Sequence, residues 1–201
     1  MKKSKTREAQ LLEIVRDKGI IRARDAIQGG FHPEYLRRLS RKGLLARVAR
    51  GTYIAADSEV TTRHTLAVAA KRMPGGIVCL LSALNFHGLG NQLPREVWLA
   101  MDRKAAPPRV DIPIKVVRFS GEALTEGVEN HEIEGVSVKV FSPAKTVADC
   151  FKYRNKIGVD VAVEALVECR ARQKATVEDI WRCAKICRVA NVMKPYLEAT
   201  E

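Results

Sequence analysis

Apolar residues recur at helical spacing over residues 6–18. Leu11, Leu12 and Val15 share one face, Ala9 and Ile14 lie beside it, and Glu8, Arg16 and Asp17 fall outside. Gly19 ends that helix, and Ile20-Ile21-Arg22 reads as a short extended piece. Residues 23–28 make a brief second helix closed by Gly29-Gly30. His32-Pro33-Glu34 opens a third, because proline suits a first helical turn, and it runs through Lys42 to a cap at Gly43. Two β-prone runs, 44–49 and 52–54, then flank the turn Arg50-Gly51, which is a hairpin signal. Helix, short helix, helix and hairpin is the order of a winged helix-turn-helix.

The phase of the third helix separates its faces. At helical spacing Leu36 and Leu39 lie about 60° apart and define the buried direction. Arg41 points the opposite way, flanked by Glu34, Arg37 and Arg38, with Lys42 to the side. A major groove about 12 Å wide admits one such helix, and arginine can grip guanine or phosphate bidentately. At the hairpin, Arg47 and Arg50 would meet neighbouring phosphates or a minor groove, with Gly51 permitting the turn. A charge-rich outer face is also what a merely solvated helix presents. The candidate DNA-contacting set is Arg22, Arg24, Glu34, Tyr35, Arg37, Arg38, Arg41, Lys42, Arg47, Arg50, Gly51 and Thr52.

The rest of the chain mixes both periods. Residues 63–73 carry a helical stripe of Leu66, Ala69, Ala70 and Met73, broken by Pro74-Gly75-Gly76. Ile77–Phe86 reads as an apolar helix, Val97–Met101 as a buried strand and 105–108 as a loop. Ile114–Phe119 and Val136–Phe141 alternate as strands. Ser142 can N-cap a helix with Pro143 in its first turn and a stripe of Ala144, Val147, Ala148 and Phe151. Two further helices are expected near 158–172 and 177–190, the last opened by Thr176 and Asp179. Helices, a few strands, then helices predict an α+β fold: an N-terminal winged helix-turn-helix over 1–57, then an α+β domain over 58–201. The small, polar stretch 55–62 is the expected linker.

Charge sharpens that division. The chain of 201 residues carries a net +12. Residues 1–60 hold 14 Lys/Arg and 7 Asp/Glu, or +7, and the other 141 residues hold 21 and 16, or +5. A strongly basic N-terminal third is the electrostatic footprint of a nucleic-acid binder, although an acidic protein partner would suit it too. With aromatic residues at 5%, stacking platforms for single strands are scarce. No apolar run approaches a membrane span, and no apolar segment follows the basic start, so neither a membrane location nor secretion is expected. Five scattered cysteines (79, 150, 169, 183, 187) make no disulfide framework and suit a reducing cytoplasm.

Candidate chemistry is sparse. Ser82, His87 and Asp102 could form a hydrolytic triad only by converging in space, and no nucleophile-elbow motif accompanies them. His87, before Gly88, is expected to turn its imidazole onto the last carbonyls of its own helix. A Mg²⁺-dependent nuclease would draw on Asp111 with Lys115, or Glu134 with Lys139; solvated loop charges are the simpler reading. Gly88-Leu89-Gly90 lacks the remainder of a phosphate loop. Cys183 and Cys187 share a helix face without further zinc ligands nearby, so buried small hydrophobes describe them better. No catalytic residue, metal or cofactor is therefore assigned. A basic adaptor for an acidic protein is the other open alternative. Lys145, Asp149, Lys152, Tyr153, Arg154, Asn155 and Lys156 would either form a partner surface or tie helices together.

Several segments carry a resemblance. Gly19-Ile20-Ile21, Tyr35-Leu36-Arg37-Arg38-Leu39, Lys42-Gly43-Leu44-Leu45 and the run Arg47–Tyr53 resemble the N-terminal winged helix of the AbiEi family. These are antitoxins of type IV (abortive infection) toxin–antitoxin systems. The likeness continues through Leu81–Leu89, Glu96–Ala100, the distinctive Ser142-Pro143-Ala144-Lys145-Thr146-Val147-Ala148-Asp149, and Cys150–Gly158. The resemblance implies a bacterial DNA-binding regulator, and with no catalytic set assigned the chain is not expected to be an enzyme. Such a protein represses its own operon by binding double-stranded DNA; reading paired half-sites would need two heads, from a dimer or from cooperative monomers. It also opposes a nucleotidyltransferase-like toxin without a stable complex.

Overall fold

A computed structural model describes residues 6–58, 63–106 and 110–200. The chain divides into two compact units. The first comprises Met1–Pro74 with Pro108–Ile112 and Glu132–Val138; the second comprises Gly75–Pro107, Pro113–His131 and Lys139–Glu201. Residues 59–62, inside the expected linker, and 107–109, at the expected 105–108 loop, lie outside the described residues.

The first unit opens with α1 (Arg7–Lys18), β1 (Ile20–Arg22), α2 (Ala23–Gln28), α3 (Pro33–Arg41), β2 (Leu45–Ala49), β3 (Thr52–Ala55) and α4 (His64–Arg72). The Thr6 side chain caps α1, accepting from the Ala9 amide, and Gly19 at φ +63 ends it. His32 caps α3 through Nδ1, which accepts from the Glu34 amide. The strands form an antiparallel sheet in the order β1-β3-β2. Leu11, Val15, Ile21, Ala26, Phe31, Leu36, Leu39 and Leu45 are buried together beneath it. This is the winged helix expected from the pattern.

The second unit is built on β4 (Ile77–Val78), α5 (Leu80–His87), β5 (Val97–Asp102), β6 (Ile114–Phe119), α6 (Glu122–Thr125), and the parts of β7 (Val128–Ile133) and β8 (Val136–Phe141) that lie outside Glu132–Val138. Then come α7 (Pro143–Lys152), α8 (Arg154–Ile157), α9 (Val159–Ala171), α10 (Val177–Ile186) and α11 (Ala190–Glu198). The five strands run in the order β6-β5-β4-β8-β7. β4 is antiparallel to β5 and parallel to β8, and β5 is parallel to β6. Phe141, Val147, Phe151, Leu166, Ile180 and Met193 pack in the core. Helices and sheet together make this an α+β chain.

One expectation changes, and β7 and α11 were not expected. Ile77–Phe86 is not one helix. Ile77 and Val78 pair with Ala100 and Leu99, and Val78 also pairs with Val140. Leu80 at φ +46 then redirects the chain into α5. A run apolar on all sides suits a central strand as well as a buried helix, so its period cannot separate them. β7 escaped notice because it lies at the sheet edge and its burial is mostly partial. α11 was missed because Pro195 lies inside it.

Candidate nucleic-acid interface

α3 turns as its pattern requires. Leu36 and Leu39 are each 2% exposed, while Arg37, Arg38, Arg41 and Lys42 face solvent. Glu34 lies 3.9 Å from both Arg37 and Arg38, and Tyr35 is partly buried against the core. Glu8, from α1, reaches across. It sits 2.5 Å from the Lys42 ammonium and 3.8 Å from the Arg38 guanidinium. Arg41 forms no ion pair among the described residues. Lys42 is therefore tethered, while Arg37 and Arg41 are the less restrained cations of this helix.

The hairpin turn is braced at one residue. The Arg50 amide donates to Asp111 Oδ2 at 2.7 Å, and its carbonyl accepts from Arg72 Nη1 at 2.7 Å. Arg72 Nη2 lies 3.3 Å from Asp111 Oδ1, which closes the brace. The Arg50 amide holds the Asp111 carboxyl below the usual range, helped by Arg72 and Arg47. Gly51 at φ +67 makes the turn, and its carbonyl accepts from the Ala23 amide at 2.8 Å. The turn is thus tied to the start of α2. β2 carries a bulge between Arg47 and Ala49, and the Arg47 side chain is exposed.

Other expected contacts are less available. Arg22 makes a two-pronged contact with Asp25, at 2.9 and 3.0 Å, and only 18% of its side chain is exposed. Arg22 and its charged neighbours draw the Asp25 carboxyl down, more than burial raises it. Arg24 stays exposed, 3.7 Å from Asp25. Thr52 is fully buried, and its hydroxyl has no partner among the described residues. It alternates inward with Ile54 along β3, so its side chain cannot reach a DNA strand.

The motif around Ser142 resolves into an interior. The Ser142 hydroxyl caps α7 by accepting from the Lys145 amide. Lys145 and Asp149 are both fully buried, and Lys145 Nζ meets Asp149 Oδ2 at 2.5 Å. The ammonium also lies over the rings of Phe141 (4.1 Å) and Phe119 (4.9 Å). Cys187 Sγ donates to Asp149 Oδ1 at 3.2 Å. Burial pushes the Asp149 carboxyl up despite these partners. It also pushes the Cys187 thiol up to about 12. Lys145 and Asp149 therefore leave the candidate partner surface, since neither has a solvent-facing atom to offer. The Tyr153 hydroxyl donates to the Arg118 carbonyl, and Arg154 donates to the Phe151 carbonyl. Lys152, Asn155 and Lys156 remain exposed.

The enzymatic candidates find structural partners. Ser82 Oγ accepts from the Trp98 amide at 3.0 Å, and Asp102 Oδ1 accepts from the Lys104 amide. His87 Nε2 meets the Phe141 carbonyl at 2.7 Å, not the carbonyls of its own helix, because burial beside β8 puts that acceptor within reach. Glu134 pairs with His64 at 2.6 Å, and Asp111 braces the hairpin turn. All five cysteines are free and buried. Among the described residues no group of three potential ligands could hold a metal, and no helix is long and apolar enough to cross a membrane. Sequence reasoning missed Glu8 and Arg72, because each acts through an element remote in sequence.

Comparison with known proteins adds two findings. The chain superposes on a crystal structure described as the RV2827C protein from Mycobacterium tuberculosis, with a TM-score of 0.58 and 18% identity. That match covers 90% of this chain and 72% of the other, so the two share a fold. No curated protein sequence matches. Residues 9–56, which span α1 to the end of the hairpin, match the family model described as "Transcriptional regulator, AbiEi antitoxin". The N-terminal domain of this chain is thus similar to that of the AbiEi antitoxin transcriptional regulators.

Proposed function

We propose that this chain is a cytoplasmic, DNA-binding transcriptional regulator whose head, residues 1–57, docks α3 in the major groove of its own operator. The single observation that carries this is the outward face of α3. Arg37, Arg38 and Arg41 stand clear of the core there, in a domain that also presents the exposed Arg47 and Arg50 on its hairpin. Arg37 and Arg41 read base edges or grip phosphate. Arg24, Arg47 and Arg50 contact phosphate and position the head. Glu34 and Tyr35 orient the arginines, and Gly51 lets the backbone approach.

The family match supports the antitoxin role. In this reading the protein represses its own operon, with two heads on DNA as a dimer or as cooperative monomers. It counters a nucleotidyltransferase-like toxin without a stable complex. Lys152, Asn155 and Lys156 are the exposed remainder of the proposed partner surface.

The test is binding to the DNA upstream of the gene, measured across salt. Contacts to Z phosphates give a log–log slope of about −0.9Z on duplex DNA. Arg41→Ala is expected to cost about 1–3 kcal/mol if it reads a base, which is roughly 5- to 150-fold in affinity. Arg50→Ala is expected to weaken binding to all sequences alike and reduce the slope by about 1. A slope near zero, or both folded variants binding like the parent, overturns the assignment.

A further inference from the structure

We propose that the second unit carries a separate site for a small phosphate-bearing anion, formed where α7 and α10 end beside the start of α6. A cavity of about 490 Å³ lies there, lined by Lys152, Lys185 and Arg188, with Ser120, Gly121 and Glu122 on its other side. Three cations therefore face one carboxylate. Among the described residues none of the three cations is in an ion pair. Like charges gathered round a concavity repel, and the focused field favours an anion of two or more charges. A volume of this size exceeds one phosphate and suits a diphosphate or a nucleotide.

Lys152 and Lys185 alone would say little. Each sits in the last turn of its helix, where the backbone dipole already favours a cation. Arg188 is different. It stands one residue past the cap of α10 in the left-handed region, at φ +58. Its amide bonds the Lys185 carbonyl, and the Val189 amide bonds the Ala184 carbonyl at 2.8 Å. That is the helix-ending motif whose left-handed position strongly prefers glycine. An arginine there carries a backbone cost that the helix end does not need. It puts an arginine on the cavity wall, and the planar, forked donors of a guanidinium match a phosphate. Backbone strain next to a concave, one-signed site is the combination expected of a ligand position.

Gln173 supplies the internal control. It occupies the same motif at the end of α9, at φ +50, with the Lys174 amide on the Cys169 carbonyl. It does not line the cavity.

The experiment titrates the full chain with inorganic pyrophosphate by calorimetry at low salt, beside thermal melts of each variant. The parent is expected to bind one pyrophosphate. Arg188→Gly is expected to melt no lower than the parent while losing about tenfold in affinity, one charge-assisted contact being about 1.4 kcal/mol or more. Gln173→Gly is also expected to melt no lower, with binding unchanged. Lys185→Gln, a change at an exposed position, is expected to weaken binding with the melt preserved. Absence of pyrophosphate binding overturns the proposal, as does parental affinity in both Arg188→Gly and Lys185→Gln. If pyrophosphate does not bind but these variants weaken duplex DNA binding, the cavity serves the DNA backbone and the small-ligand proposal fails. Operator binding by the parent is measured separately, so failure here leaves the regulator assignment standing.

Discussion

Replacing Lys145 by methionine tests the reading of the Ser142–Asp149 motif as an interior device. The substitution keeps the aliphatic volume but removes the ammonium that meets Asp149 at 2.5 Å. It also removes the cation from the rings of Phe141 and Phe119. Among the described residues Asp149 would keep only the weak Cys187 thiol donor. Both partners are fully buried, so screening by water offers no relief. Breaking a buried pair from one side costs about 3–5 kcal/mol, because it strands an uncompensated charge. For a chain of this length each kcal/mol moves the midpoint by about 2–4 °C, so the expected drop is roughly 6–20 °C.

Both tryptophans, Trp98 and Trp181, lie in the second unit, so their fluorescence follows this unfolding directly. The double variant Lys145→Met with Asp149→Leu is expected to recover most of the loss, since a well-packed apolar pair can replace a buried ion pair at little cost. Acid supplies a further arm. Burial raises the Asp149 carboxyl in the folded chain, and removing Lys145 takes away the strongest opposing pull. A carboxyl raised by folding penalises the native state above the ordinary carboxylate range, and the penalty fades as pH falls through the raised value. The gap between parent and Lys145→Met should therefore narrow on acidification. A single variant within about 1 kcal/mol of the parent at neutral pH, or a double variant as unstable as the single, refutes the reasoning.

Other expectations follow from single contacts. Thr52→Val should leave stability unchanged or raise it by up to about 2 kcal/mol, because it removes a buried hydroxyl without a partner among the described residues. Operator affinity should not change, and a loss of binding in a folded Thr52→Val would restore Thr52 as a DNA contact. Glu8→Gln frees Lys42 and Arg38 on the face proposed to meet DNA, so duplex affinity at low salt should rise about two- to fivefold; an unchanged or lower affinity counts against that face. Gly19→Ala should cost more than about 2 kcal/mol, as its Cβ would fall 1.6 Å from the Glu134 carbonyl oxygen at a position with φ +63. Gly30→Ala, at φ +81 with nothing within 4 Å, should cost only about 1 kcal/mol. Equal losses in chemical denaturation would remove the steric argument.

The winged helix was legible because its information is local. Gly19, Pro33 and Gly51 punctuate the chain where the backbone must stop, start or turn, and Leu36 with Leu39 sets the phase of α3. The second unit was less so, because its sheet is assembled from distant segments. Val78 lies between Leu99 and Val140, and nothing within Ile77–Phe86 distinguishes that strand from the helix beside it.

The Ser142–Asp149 motif carries a different lesson. Its distinctiveness invites a functional surface, yet its two charges close on one another inside the protein. A clue was present: Lys145 and Asp149 are four residues apart in a helix whose other residues between Pro143 and Lys152 are alanine, valine, threonine, cysteine and phenylalanine. A helix apolar on all sides is buried, and a lone pair of opposite charges within it can be buried only together. The arginines of α3 carry no such constraint. Any long cation satisfies a solvated face, so periodicity says only that they point outward. Their partner is decided by what surrounds them: Glu8 claims Lys42 and shares Arg38, while Arg41 has no ion-pair partner among the described residues. Interior chemistry can be inferred from what a helix lacks, whereas surface chemistry needs the neighbours that only the fold supplies.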